Sequence, residues 1–463
     1  MAVAAKPQRG DRTAVAALVF GCLNASLVQT IAFPIQAELP DLLAQPREVT
    51  AWVVTATVAS ASAFAPVSGR LGDIWGRKRV ALVLVGLLAV GSLLSGLAPG
   101  VGVLIAGRAV QGIAIGLIPL SMSIMKEILP ADRLGTALAL ASATMGVGAA
   151  FGIPLGAAMT EWAGWRSIFW VSLALSLVAA AWIAVTVPVA EGRATDRFDL
   201  VGAATNIVGS AVLLIGIAEA LTLGWDSPVT LALVIGGAAC LALGWLAMAR
   251  NPSPLIDVRV SVRPRILRTN MLSLLINFAT MTIMVVFPQL LVLPARSPAG
   301  FGLSPVAASL IMMANGVSQA IATPFLARIL RRVEPRTVAA AGAAIVTVAI
   351  TAAIVLTSPQ SLLAVNIVVG AAFGVVFAAI PQIIMSAVPA EDAAAANGLN
   401  AQIRIFGTAG AATVAGALIA AESIGGVPSA SGFALSLGIA AAASGLATLL
   451  SMLIPAQRDR HSS

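Results

Sequence analysis

The chain has 463 residues, 59% of them apolar and only 10% charged, with a formal net charge of +8. Soluble domains run near ~45–50% apolar with glycine included and near ~25% charged, so 27 basic and 19 acidic residues cannot build a water-facing surface for this length and a soluble enzyme is excluded. The basic residues are scattered through short links rather than gathered on one face, which excludes nucleic acid, and the single histidine, His461, stands in a polar tail and leaves no triad or histidine metal site in the membrane.

A helix needs about 20 mostly apolar residues to cross the hydrocarbon. Breaking the chain at charge clusters and Pro/Gly turns predicts an all-α integral membrane protein with fourteen spans: 13–37, 50–69, 79–97, 101–125, 135–160, 165–188, 200–221, 229–249, 268–292, 303–327, 336–356, 361–386, 400–420 and 432–455. The first follows Lys6, Arg9 and Arg12 as a signal peptide would, but it is too long for that and reads as a retained span. With the N-terminus inside, 22 of the 27 basic residues fall on the cytoplasmic side and 3 outside, a strong positive-inside bias. Both termini are therefore expected in the cytoplasm, and the protein in the plasma membrane. Cys22 and Cys240 lie far apart in apolar runs and read as packing residues; no metal or cofactor motif is present.

The chain also repeats itself. Phe33-Pro34 through Pro40 matches Phe287-Pro288 through Pro294 at an offset of 254, and Pro66 through Val80 matches Pro324 through Val338 at 258. Pro130-Ala131-Asp132-Arg133 and Pro389-Ala390-Glu391-Asp392 match at 259. Three near-equal offsets in one order predict two pseudo-symmetric six-helix bundles, residues 1–192 and 261–463, with spans 7 and 8 as an inserted pair over 193–260. Parallel repeats with substrate bound between them are a known transporter design.

After span 2 comes Gly69-Arg70-Leu71-Gly72-Asp73-Ile74-Trp75-Gly76-Arg77-Lys78-Arg79. From the residues alone this is a positive-inside anchor carrying one acid. Its spacing resembles the signature loop of the major facilitator superfamily, G-x-L-x-D-x-x-G-R followed by a second basic residue. The second copy departs, with Arg331 where Asp73 would stand and Glu334 where Gly76 would. Span 4 holds Gly107-Arg108-Ala109-Val110-Gln111-Gly112, in which Arg108 and Gly112 are similar to the family's R-x-x-x-G element; an arginine inside a span either faces a polar cavity or clamps backbone carbonyls. Span 5 places Gly148, Gly152 and Gly156 every four residues with Pro154 among them, a stripe that admits a close helix neighbour. It is similar to the superfamily's antiporter signature, although Ile153 separates glycine from proline. Trp165-Arg166-Ser167-Ile168-Phe169 resembles the opening of span 6 in the fourteen-span drug:proton antiporters, and Arg404 with Gly407 resembles the equivalent stripe in their second half.

That resemblance implies export of small amphipathic or drug-like molecules by alternating access, coupled to protons. One departure bears on the coupling: those antiporters usually carry an aspartate in span 1, and here Asn24 stands in its place. Glu219 in span 7 is the side chain best placed for a proton among the few acids near the membrane. Candidate cavity residues are Asn24, Gln29, Arg108, Gln111, Asn277, Asn315, Gln319, Gln382 and Arg404, each of which can equally be glue between helices. The expected partners are a small-molecule substrate, protons and membrane lipid, with no nucleic acid and a monomeric chain. An uncoupled facilitator and a non-transporting sensor are the alternatives. An intramembrane enzyme would need a Ser/His pair, paired aspartates or a metal motif, and the sequence has none of these.

Overall fold

The structure is a computed structural model that describes residues 9–36, 38–189, 198–295, 297, 300–329, 333–356, 358–389, 392–423 and 428–455. Lys6, Arg193, Arg197, Arg296, Arg331, Arg332, Arg458, Arg460 and His461, used above for charge and repeat arguments, lie outside these residues, as do Ala390 and Glu391. Every described regular element is helical, the solution that lets an apolar chain satisfy its backbone without water.

Span 1 is Arg9–Thr30, span 2 Arg47–Trp75, span 3 Arg77–Gly96, and span 4 two segments, Val101–Ala114 and Leu117–Ile128. Spans 5 to 8 are Ala131–Ala163, Ser167–Thr186, Leu200–Leu223 and Pro228–Arg250. Spans 9 to 14 are Pro264–Val292, Pro305–Ile329, Pro335–Val355, Pro359–Ala387, Ala393–Ala421 and Ala430–Met452. Among the described residues thirteen helices are long and apolar enough to cross a membrane, and fourteen when the two parts of span 5 count as one. Those parts meet at 41°, just ahead of Pro154, which cannot donate to the Ala150 carbonyl.

Several boundaries differ from the sequence expectation. Span 1 stops at Thr30 rather than 37, and the short helices Phe33–Gln36 and Leu39–Leu43 carry the chain toward span 2. Span 2 continues to Trp75 instead of stopping at 69, so the expected loop shrinks to Gly76 alone, at φ 94°, before span 3 starts at Arg77. Only glycine takes that backbone without strain. Span 13 starts at Ala393, seven residues before the expected 400.

Spans 1 to 6 share cores around Leu18, Leu88, Leu117 and Ile183 and around Ile35 and Phe169. Spans 9 to 14 share another around Ile283, Phe287, Val369 and Phe433. The two groups meet along two seams. In one, span 5 packs on spans 10 and 12; in the other, span 13 packs on spans 2 and 4. Spans 7 and 8 pack on each other, and span 7 lies across spans 2 and 13. There Asn206 Nδ2 donates to the Ala63 carbonyl at 3.0 Å, and Gln402 Nε2 donates to Asn206 Oδ1 at 3.0 Å and to Ser210 Oγ at 2.6 Å. Asp199 ties the insert's ends together, accepting from Gly202 N at 2.9 Å and Leu255 N at 3.1 Å.

Candidate functional site

The span 2–3 turn and the start of span 13 form the first contact between the groups. Because span 2 stays helical to Trp75, Asp73 sits in its last turn beside Arg77, which donates to Asp73 Oδ1 from Nη2 at 2.8 Å and from Nε at 3.2 Å. Arg77 Nη1 also donates to the Ser123 carbonyl at 3.1 Å and approaches Glu127 at 3.5 Å. With Asp73 and Arg77 both buried, each charge needs its partner. The other carboxylate oxygen, Oδ2, accepts from the Ala395 backbone N–H at 3.3 Å. Ala395 is the third residue of span 13, whose own Asp392 makes no capping bond to it. Asp73 thus caps in trans a helix start that carries partial positive charge.

Small residues make this approach possible. A Cβ on Gly69 would stand 2.4 Å from the Ala394 carbonyl oxygen, and one on Gly398 would stand 2.4 Å from that of Ala65. On the inner side, a Cβ on Gly72 would meet Leu120 at 2.5 Å, and one on Gly116, at the break in span 4, would meet Ser68 Oγ at 2.1 Å. Lys78 donates to the Ala184 carbonyl at 2.8 Å and fixes the turn to span 6. Arg70 is buried at the same level.

A second contact was not foreseen. Lys126, at the end of span 4, donates to the carbonyls of Met385 at 2.6 Å and Val388 at 3.1 Å. These are free carbonyls at the C-terminal end of span 12, where the helix carries partial negative charge. An acid on the start of span 13 and a base on the end of span 12 therefore grip one helical hairpin by its two oppositely charged ends.

Arg108 is fully buried among spans 1, 2 and 4. It donates to the Val28 carbonyl at 3.0 Å, the Val53 carbonyl at 3.3 Å and Gln111 Oε1 at 2.8 Å, while Gln111 Nε2 donates to Ser92 Oγ at 2.8 Å. This is the carbonyl-clamp arrangement. Asn24 turns toward span 6 and donates to Ser176 Oγ at 2.9 Å. The glycine stripe of span 5 lies against span 1: added Cβ atoms on Gly148, Gly152 and Gly156 would come within 2.1, 1.9 and 2.1 Å of Ser26, Thr30 and Ile31. Thr30 Oγ1 donates to the Gly148 carbonyl at 2.7 Å. Span 5 uses its other side against span 10, where Gly316 meets the Gly146 carbonyl and Ala150.

Within span 13, the Arg404 guanidinium lies 4.4 Å from the centre of the Phe377 ring, against which Phe373 packs at a 49° tilt with ring centres 4.9 Å apart. Gln319 is buried where spans 5, 10 and 12 cross, and its Nε2 has no partner among the described residues. Asn315 Nδ2 donates to Asn366 across spans 10 and 12 at 3.2 Å. Asn277 and Gln382 donate back to carbonyls of their own helices, those of Ser273 and Ala378. Gln29 is half-buried. Glu219, four residues from the C-terminal end of span 7, accepts from Thr222 Oγ1 at 2.9 Å. The structure therefore places Arg404 against Phe377, keeps Gln319 and Gln382 on spans 10 and 12 of the other seam, turns Arg108 and Gln111 of span 4 into contacts within the first six spans, and leaves Asn24 and Glu219 on spans outside the seams.

The family model described as Major Facilitator Superfamily matches residues 14–404 and 269–463. The multidrug resistance protein Stp of Mycobacterium tuberculosis is 26% identical over 419 residues, covering 89% of this chain and 77% of that one. The cephamycin export protein CmcT of Amycolatopsis lactamdurans is 30% identical over 416 residues, 86% of this chain and 83% of the other. An uncharacterized MFS-type transporter of Mycobacterium tuberculosis is 31% identical over 67% of this chain, which spans 53% of that relative's length, about half. The crystal structure of the human organic anion transporter MFSD10 superposes with a TM-score of 0.70 at 16% identity, over 97% of this chain and 100% of that one, and shows a shared fold. With its helical architecture, its span 2–3 motif and a family match along nearly its whole length, this chain belongs to the major facilitator superfamily.

Proposed function

We propose that the protein exports small amphipathic molecules across the plasma membrane by alternating access, with residues 1–192 and 261–463 rocking about the two seams. The observation that carries this reading is the pair of helix-end contacts, Asp73 on the start of span 13 and Lys126 on the end of span 12. Both join the first six spans to the last six on the side that the basic residues mark as cytoplasmic, and both are few-bond, reversible interactions. Broken together, they free that side to open. Relatives whose names include multidrug resistance and cephamycin export support the direction and the substrate class.

Arg404 adds a preference. It sits within span 13 over an aromatic ring, and no carboxylate pairs with it among the described residues. Arginine stays charged at physiological pH, so neutral or anionic amphiphiles suit this site better than the weakly cationic ones a nearly uncharged cavity would allow. Every carboxylate described lies at a span end or in a link. Proton coupling, which the family resemblance implies, then runs through a span-end acid such as Asp73 or Glu219; an uncoupled facilitator is the second reading, favoured by that same placement. Uptake of ethidium and of anilinonaphthalene sulfonate into inverted vesicles, with and without a pH gradient, tests all of this. Uptake of the anion above protein-free vesicles is expected, and collapse of the gradient should abolish its accumulation. No uptake of either dye above that control overturns the export reading, and uptake indifferent to the gradient replaces coupling with facilitation.

A further inference from the structure

A cavity of about 790 Å³ opens on the flank of the first six spans, with span 1 as its floor and spans 5 and 6 as its walls. None of its lining residues comes from spans 9 to 14, so it is separate from both seams. The floor is one helix face, Arg12, Val15, Val19 and Leu23, spaced three and four residues apart. Arg12 and Arg133 stand at the mouth with Asp11, each within the first few residues of a helix that starts on the cytoplasmic side. Leu140 and Trp182 line the interior, and Trp182 leans on Phe20 with ring centres 5.8 Å apart.

We propose that this cavity binds an anionic phospholipid of the cytoplasmic leaflet, its phosphate at Arg12 and Arg133 and one acyl chain along the span 1 face. Two observations point to that occupant. The first is depth: from Arg12 to Leu23 a helix rises about 16 Å, close to the half-thickness of a hydrocarbon core about 30 Å thick. The cavity therefore places charge at headgroup level and apolar wall over one leaflet, as a single lipid requires. The second is charge: the mouth carries two arginines against one aspartate, and among the described residues neither arginine side chain makes an ion pair or hydrogen bond. A soluble anion would not need the apolar wall, and a second copy of this chain would bring its own basic residues to a basic mouth. The proposal rests on the orientation read from the basic residues and not on transport.

One basic residue near an anionic lipid surface is worth roughly a fivefold preference, which is the expectation for a mouth with one net positive charge. The full chain is placed in nanodiscs containing brominated phosphatidylglycerol or brominated phosphatidylcholine, and tryptophan fluorescence is followed. The difference between wild type and Trp182→Phe isolates the tryptophan inside the cavity. Half-quenching is expected at about fivefold lower mole fraction of phosphatidylglycerol. Arg12→Gln with Arg133→Gln should merge the two curves, and Asp11→Asn should separate them further, which protects the test against a misfolded double variant. Coincident curves in wild type, or a preference that survives the double variant, overturn the proposal. So does recovery of fluorescence on adding ethidium, which would make the cavity a route for substrate, and so does absence of quenching by either lipid, which would mean that the chain itself fills it.

Discussion

Gly69→Ala tests the cytoplasmic seam with a single methyl group. The added Cβ would stand 2.4, 2.6 and 2.9 Å from the Ala394 oxygen, the Ala394 carbonyl carbon and the Ala395 nitrogen. All three are backbone atoms at the start of span 13, the segment Asp73 holds, so no side chain can swing aside. Relief requires spans 2 and 13 to separate by about 1 Å, and overpacking of this kind costs ~1–3 kcal/mol. Alanine also favours the helix by about 1 kcal/mol over glycine, but in the closed and the open form alike, so that gain cancels. The closed-to-open ratio should fall by a factor of roughly five at the low end and over a hundred at the high end. Ala401, buried one helical turn above the Gly398 contact, is the reporter. In a background with Cys22→Ala and Cys240→Ala, the rate at which a membrane-impermeant thiol reagent labels Ala401→Cys from the cytoplasmic side should rise by that factor in the Gly69→Ala variant. An unchanged or slower rate would refute the argument that this contact exists only in the closed form.

Lys126→Met removes both hydrogen bonds from the one ammonium to the end of span 12 and, at ~1–2 kcal/mol for a partly buried charge at a helix end, should raise labelling of Met385→Cys about five- to thirtyfold, with Lys126→Arg recovering part of the closure. Arg108→Met removes the donor to the Val28 carbonyl and to Gln111 Oε1, at ~1–3 kcal/mol for a buried acceptor left unsatisfied, while the Val53 carbonyl keeps Thr57 Oγ1; the expected result is a lower unfolding temperature in detergent, whereas a residue serving only substrate would lower affinity and leave stability intact. Gly152→Leu forces a side chain into Thr30 Oγ1, which a Cβ alone would approach to 1.9 Å. Span 1 should then part from span 5, with both thermal stability and vesicle uptake lost; normal uptake would show that the stripe can move away from span 1 at no cost.

Helix content and the approximate spans were legible because runs of about 20 apolar residues have few other solutions. The glycine stripe of span 5 could be read as a close contact from its spacing, but not which neighbour it meets, since a helix turned by 100° keeps the same sequence. For the same reason Asn24 reads equally as a cavity residue or as a partner for Ser176, and Arg108 as a cavity charge or a carbonyl clamp. Lys126 was passed over because a lysine at a span end looks like one more cytoplasmic anchor; its partners are main-chain carbonyls of Met385 and Val388, and carbonyls leave no mark in a sequence. Asp73 was legible through its motif. That it stays on the helix depends on Gly76, whose positive φ turns the chain in a single residue where a loop was expected.

The most direct test of alternating access is a pair of distances measured across the molecule in the same sample. Spans 3 and 11 occupy corresponding places in the two groups and offer exposed sites near both ends. Arg79 and Val333 lie at the ends that the basic residues mark as cytoplasmic, and Leu97 and Leu356 at the opposite ends. Spin labels on each pair, read by double electron–electron resonance in nanodiscs for wild type and for Gly69→Ala, should move in opposite directions: the cytoplasmic distance lengthens as the outer one shortens. Distances that stay fixed, or that lengthen together, would contradict the account and leave the helix-end contacts as static joints.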